Sequence, residues 1–298
     1  MRPEGADASR MPLFRRADGD PVAESPVRRI MPYLMRGRNE STVYQDTVFR
    51  IAAARSWLHA YNRSHADRAT LFHLVAYASA RALHERPVLN RFVSGGRIWQ
   101  RRTVTVAFAA KVSMADDAPA ATVKLEIPRD EPFEAFVARI VRAVERARAG
   151  GRSVDREVAM VMRLPGPLIR ALVALVRWLD AWNLLPAWFT RDDPMYSSLF
   201  LANLGSAGIS DAYHHLYEYG TCSVFGAISA PRRMALVDGD AVSVEEALQV
   251  RWTLDERIGD AFYGGRSLAL VRRILEEPER HLGAPRAPLA GAARTLAP

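Results

Sequence analysis

Residues 200–229 read FLANLGSAGISDAYHHLYEYGTCSVFGAIS. The apolar run that closes on Asn203, Leu204 and Gly205 predicts a strand over 196–205. TCSVFGAIS predicts a second, buried strand over 221–229, and the polar, aromatic stretch between them carries His214 and His215. Working outward, EEALQVRWTLD (245–255) reads as another strand and DAFYGGRSLALVRRILEE (260–277) as a closing helix. Upstream, RRTVTVAFAAKV (101–112) alternates Val104, Val106 and Phe108 with small or polar residues, as a strand with one buried face does, and ATVKLEIP (121–128) reads as its neighbour. Helices are expected near 46–62, at 69–85 and at 131–150, where Phe133, Phe136, Val137, Ile140, Val141 and Val144 recur at helical spacing before Gly150 and Gly151 end the run. Helices and strands mix without strict alternation. The fold class expected is therefore an α/β two-layer sandwich around a central mixed, mainly antiparallel sheet flanked by helices.

The chain has 298 residues, 49% of them hydrophobic, enough for a substantial core. Its formal charge of +8 comes almost entirely from arginine, scattered along the chain instead of gathered on one element with aromatics between. That pattern argues against nucleic acid and fits a phosphate-bearing ligand of the CoA type or an acidic membrane surface. The single cysteine, Cys222, excludes a disulfide framework and a cysteine-built zinc site, and reads as a core residue. No His and acidic residues recur at metal-ligand spacing, so no metal is expected, and no P-loop, dinucleotide fingerprint or Gly-x-Ser-x-Gly elbow occurs. The glycine pairs at 95–96 and 264–265 read as turns, the pairs Asp116/Asp117 and Asp192/Asp193 as loop carboxylates, and His73 as a core or interface histidine. Residues 1–25 and 284–298 are rich in Pro, Gly and charge and read as loose tails around one domain, 26–283. With no secretory signal pattern at the N-terminus, a cytoplasmic protein is expected.

One segment departs from an ordinary crossover. Within 150–194, LPGPLIRALVALVRWLDAWNLLPAWF holds Trp178, Trp182 and Trp188 among leucines and valines, broken by Arg170, Arg177 and Asp180. A span of about 20 apolar residues would be needed to cross a bilayer, and this hydrophobic helical insert lacks it. Two readings remain. Residues 164–189 form either a helix packed on their own domain or a neighbouring subunit, or a peripheral membrane contact, with tryptophans at headgroup level.

Three stretches carry a family resemblance. They are residues 80–112 (ARALHERPVLNRFVSGGRIWQRRTVTVAFAAKV), the stretch 200–229 quoted above, and 250–282 (VRWTLDERIGDAFYGGRSLALVRRILEEPERHL). In this order they resemble the catalytic domain of 2-oxoacid dehydrogenase acyltransferases, in the chloramphenicol acetyltransferase-like superfamily. The matching motifs are a Pro-x-Leu-Asn turn, a Ser-Asn-Leu-Gly strand and an Asp-His-Arg-x-x-Asp-Gly turn followed by a helix. With weaker similarity at 27–40, the likeness spans roughly 27–282. It implies a homotrimer with active sites between subunits, coenzyme A as acyl-carrying co-substrate, and a small-molecule acyl acceptor. In that chemistry a histidine takes the acceptor's proton and a serine or threonine hydroxyl stabilises the oxyanion.

Two of those residues are replaced here. Glu256 stands at the histidine's position and Ala202 at the serine's, while Arg257, Asp260 and Asn203 are retained. A carboxylate near pKa 4.3 facing a thiol near 8.5 leaves a gap of roughly 5 to 6 kcal/mol, and losing one oxyanion donor costs about 100- to 1000-fold in rate. The catalytic candidates are thus Glu256 and Asp260, with His214 and His215 as replacement bases; the substrate-contacting candidates are Arg257, Asn203 and Ala202. No lipoyl domain or peripheral-subunit-binding segment accompanies them in the sequence. The expectation is a free-standing acyltransferase-like protein using a non-lipoyl acceptor, or a catalytically inactive trimer that kept the architecture.

Overall fold

The computed structural model describes residues 16–111, 120–149 and 154–285. In chain order its elements are β1 (Gly19–Pro21), α1 (Pro26–Leu34), β2 (Thr42–Arg50), α2 (Ala52–Ser64), α3 (Leu71–Glu85), β3 (Arg91–Ser94), β4 (Arg97–Arg101), β5 (Thr105–Lys111), β6 (Ala120–Glu126), α4 (Phe133–Arg148) and α5 (Val154–Val161). They continue with α6 (Gly166–Ala181), α7 (Ala187–Asp192), β7 (Leu199–Asn203), β8 (Val224–Ile228), β9 (Arg232–Asp238), β10 (Ala241–Asp255), α8 (Ala261–Glu276) and α9 (Pro278–Leu282). The main sheet runs β2-β10-β8-β7-β5-β6, with β9 paired to the first half of β10; β7 is parallel to β5 and β8, and the other pairs are antiparallel. A small sheet, β1-β4-β3, stands beside it.

Alternation along the strands assigns the two faces. Leu199, Leu201, Val224, Ile228, Leu248, Val250 and Trp252 join one core with Trp57, Leu74, Phe136 and Leu275 from α2, α3, α4 and α8. Phe200, Phe225 and Ala227 point the other way and pack with Leu216 and Cys222. Gly226 sits between Leu201 and Trp252, where an added Cβ would lie 2.7 and 2.9 Å from their side chains. A side chain there would push two buried groups apart.

Four expectations change. Residues 46–50, read as the start of a helix, belong to β2, whose whole length hydrogen-bonds to β10 some two hundred residues later. Residues 16–25 of the segment read as a loose tail include β1, paired to β4, and Arg16, which is buried against Asp18 and Asp180. Gly264 and Gly265 lie inside α8 and make no turn, whereas Gly95 and Gly96 do turn the chain at positive φ. Asp193 is no plain loop carboxylate: it accepts from the Met195 amide and the Tyr219 hydroxyl. Asp116 and Asp117 lie outside the described residues, as does 286–298 of the C-terminal tail. His73 is buried at the first turn of α3, with Nδ1 accepting from the Thr70 amide.

Candidate active site

β10 ends at Asp255, and residues 256–259 turn the chain into α8. Two devices hold that turn. The fully buried Asp255 carboxylate accepts the Arg257 Nε and Nη2 hydrogens at 2.8 and 2.7 Å and the Arg257 amide at 3.1 Å. The third guanidinium nitrogen, Nη1, donates to the carbonyls of Met35 and Arg36. Downstream, Asp260 caps α8 by accepting from the Tyr263 amide at 2.7 Å, which satisfies one orphan donor of the helix start.

Between these anchors Glu256 is pinned by its backbone alone. Its amide donates to Ser41 and its carbonyl accepts from the Arg28 guanidinium. The carboxylate is half-buried and, among the described residues, has no hydrogen-bond or ion-pair partner. Arg257, by contrast, is only 2% exposed and its bonding groups are taken up within the chain, so its part in the turn is positional. Asp260 likewise serves the helix. Asp255, which sequence reasoning passed over, is the residue that orients Glu256; its signal was an acid and a base two apart around a turn.

The β7 strand lies elsewhere. Ala202 projects from the Phe200/Phe225 face, half-buried, and its methyl has no hydrogen to donate. The Asn203 carbonyl accepts from Ser206. In register, Ala202 pairs with Ala227 and Ala227 with Arg251, five residues before Glu256 on β10. At about 3.3 Å per residue and about 4.8 Å per strand, the two positions are roughly 19 Å apart in one chain. A site that uses both requires a second chain.

His214 sits between them. The loop that carries it crosses the β8/β10 face and is fastened there by Asp211, which accepts from Arg251 at 2.8 Å and from Arg232, and by Tyr213, whose hydroxyl donates to Asp46 at 3.0 Å. Thr253, three residues before Glu256, donates its hydroxyl to the His214 carbonyl. The imidazole stacks on Phe225, centroids 3.9 Å apart. Burial, with a lesser push from His215, holds its pKa below the usual histidine value despite a backbone hydrogen bond that pulls the other way. Its Nδ1 hydrogen goes to the His215 carbonyl at 2.7 Å, which leaves Nε2 as a lone-pair acceptor on a neutral ring. His215 uses its own Nδ1 on the Leu216 carbonyl and is exposed. The structure therefore brings an unpartnered carboxylate, Glu256, and a neutral imidazole, His214, to neighbouring stretches near the C-terminal end of β10, with Ala202 remote from the carboxylate. Among the described residues no group of three His, Cys, Asp or Glu side chains is placed to hold a metal.

This architecture is shared with known proteins. A probable dihydrolipoamide acetyltransferase from Listeria monocytogenes superposes over 87% of this chain and 94% of its own, with TM-score 0.56 and 13% identity. The dihydrolipoamide acetyltransferase of Azotobacter vinelandii, studied for a serine, a histidine and an asparagine in its catalytic mechanism, covers 88% and 94% at TM-score 0.57 and 15% identity. A truncated catalytic core of the Thermoplasma acidophilum 2-oxoacid dehydrogenase complex covers 87% and 99% at 0.53 and 13%. The chain has the fold of the dehydrogenase-complex acyltransferase cores. No protein-family model and no curated protein sequence matches it. At such low identity the acyltransferase-like fold is what is shared. Of residues 202, 256 and 257, only Arg257 keeps the residue type that the motifs lead one to expect.

Proposed function

We propose that this acyltransferase-like chain transfers an acyl group from coenzyme A to a non-lipoyl thiol, hydroxyl or amine, in a homotrimer whose sites join the Glu256 turn of one protomer to the Ala202–Asn203 strand of the next. One observation carries the reading: a half-buried carboxylate without a partner, on a turn that a buried ion pair and a helix cap hold in place. A carboxylate kept only for structure is normally paired, as Asp255 is. Likeness to catalytic cores of a multienzyme complex supports assembly into an oligomer, and the roughly 19 Å between Ala202 and Glu256 within one chain is what an inter-subunit site requires.

In the proposed reaction the acceptor's X–H proton passes to Glu256, or to Nε2 of His214. The X atom bonds to the thioester carbon, the C–S bond breaks, and the CoA sulfur leaves with the proton. Exposed apolar side chains along 168–188, Leu168, Trp178 and Trp188 among them, suit a lipid-borne acceptor. A panel of acyl-CoA thioesters, followed by free-thiol release and by melting temperature, tests the reading. Acyl-CoA binding raises the melting temperature and Glu256→Gln abolishes turnover; no shift and no thiol release across the panel sink it.

A second reading, an inactive trimer, is favoured by the Ala202 methyl where the resemblance calls for a hydroxyl. The pair Glu256→His with Ala202→Ser separates them. Appearance of acetyl transfer in an otherwise silent protein marks a decayed site, and loss of an existing turnover marks Glu256 as the working residue.

A further inference from the structure

Helix α6 is held at one end only. Its C-terminal turn is locked to the small sheet, where Asp180 accepts from Arg16 Nη2 at 2.8 Å and from Ser94 Oγ at 2.7 Å and its carbonyl accepts from Arg16 Nη1. The rest of the helix makes little contact with its own domain, contrary to the reading of a helix packed there. Leu168 is 52% exposed, Trp178 53%, and Trp188 of the following helix 59%.

These exposed groups are ordered on the helix. At about 100° per residue, Leu168, Leu172, Leu175, the half-buried Leu179 and the capping Trp182 follow the i, i+4, i+7 spacing of one stripe, and Trp178 flanks it against Trp182 with ring centroids 6.2 Å apart. Arg170 and Arg177, seven residues apart, lie on the opposite side, exposed and without an ion pair among the described residues, and Arg163 is exposed in the turn before the helix; Glu218 feels the field of Arg177 but does not bond it. No helix among the described residues is long and apolar enough to cross a membrane. A leucine stripe edged by tryptophans and backed by unpaired arginines is the composition of a helix lying flat in a lipid–water interface.

We infer that α6 docks the protein on an anionic bilayer, the leucine stripe entering the acyl boundary and the arginines meeting lipid phosphates. Charge complementarity decides the occupant. A second copy packed on the stripe would leave the arginine row on the far side without counter-charge, and the whole sequence carries +8, so the counter-charge must come from another kind of surface. The rigid anchor at Asp180 fixes the helix relative to the sheet, so docking also orients the body of the protein. The inference concerns α6 alone and does not depend on whether Glu256 performs chemistry.

The test is flotation of the full chain, without any acyl-CoA, on vesicles of phosphatidylcholine with and without one-quarter phosphatidylglycerol. The wild type floats with the anionic vesicles and not with pure phosphatidylcholine. Leu172→Glu with Trp178→Glu lowers the bound fraction at least tenfold at an unchanged melting temperature, since both side chains are exposed. Arg170→Gln with Arg177→Gln weakens binding about 30-fold at low salt, from roughly fivefold per arginine near an anionic surface, and flattens its salt dependence. Wild type left unbound by anionic vesicles overturns the inference, as does equal binding of wild type and the Leu172→Glu/Trp178→Glu variant, or binding indifferent to phosphatidylglycerol. Light scattering supplies a further contrary outcome: an oligomer that dissociates in the Leu172→Glu/Trp178→Glu variant, with no flotation of the wild type, assigns the stripe to a second copy.

Discussion

Replacing Asp255 by Asn tests what holds the Glu256 turn. Asp255 is fully buried and Arg257 nearly so, with two side-chain bonds of 2.8 and 2.7 Å between them. The amide of Asn keeps the shape but removes the charge and turns one acceptor oxygen into a donor, leaving the guanidinium in a dry site with only neutral acceptors, the amide oxygen and the Met35 and Arg36 carbonyls. Orphaning one member of such a pair costs about 3 to 5 kcal/mol. Unfolding a domain of this size carries an entropy of roughly 0.5 kcal/mol/K, so the melting temperature should fall by about 6 to 10 °C. Calorimetry of wild type, Asp255→Asn, Arg257→Met and the double variant Asp255→Asn/Arg257→Met measures it. The double variant should recover part of the loss, because no unpaired charge is left behind. A single variant within 2 °C of wild type, or a double variant worse than the two singles added, would refute the claim that this ion pair positions the turn.

Three further outcomes follow from other parts of the molecule. His73 is buried, and burial pushes its pKa down from 6.5 to about 4. As pH falls through that window the unfolded chain takes up the proton first, so stability is complete above 6.5 and lost towards 4; urea unfolding at pH 7 and 4.5 should show the wild type losing about 2.5 kcal/mol more than His73→Asn. Equal losses would show that the imidazole is not desolvated as described. Gly226→Ala, which sets a methyl against Leu201 and Trp252, should cost about 1 to 3 kcal/mol by the same unfolding assay, and a neutral result would mean that β8 shifts freely. Hydrogen bonds from Arg232 and Arg251 hold the Asp211 carboxyl well below the usual carboxylate range, and Asp211→Asn should speed amide exchange over residues 211–219 with little change in melting temperature; unchanged exchange would show that the loop is held by other contacts.

Much of the fold was legible along the chain because period and punctuation are local. Leu199 to Ala202 and Val224 to Ile228 are short apolar runs bounded by polar residues, as strands buried on both faces are, and α3 and α4 carry stripes at helical spacing, so element type was settled without reference to distant residues. The register of motifs around Asn203 and Asp260 likewise pointed to the fold that the solved structures share. What stayed hidden depends on partners far away in sequence. VYQDTVFR is only partly buried, so its strand character comes from the β10 ladder and not from its own pattern. Arg16 reads as a charge in a polar tail, yet Asp180, more than 160 residues on, draws it inside.

The sequence alone determined which residue types stand at positions 202, 256 and 257, which segments alternate as strands, and that α6 is rich in leucine and tryptophan. Only the tertiary structure decided that Arg257 is bound to Asp255, that Glu256 is left unpaired, and that the α6 stripe stays uncovered. Hydrophobicity and charge are properties of a side chain, whereas burial and pairing belong to the space around it, which forms only when distant segments meet.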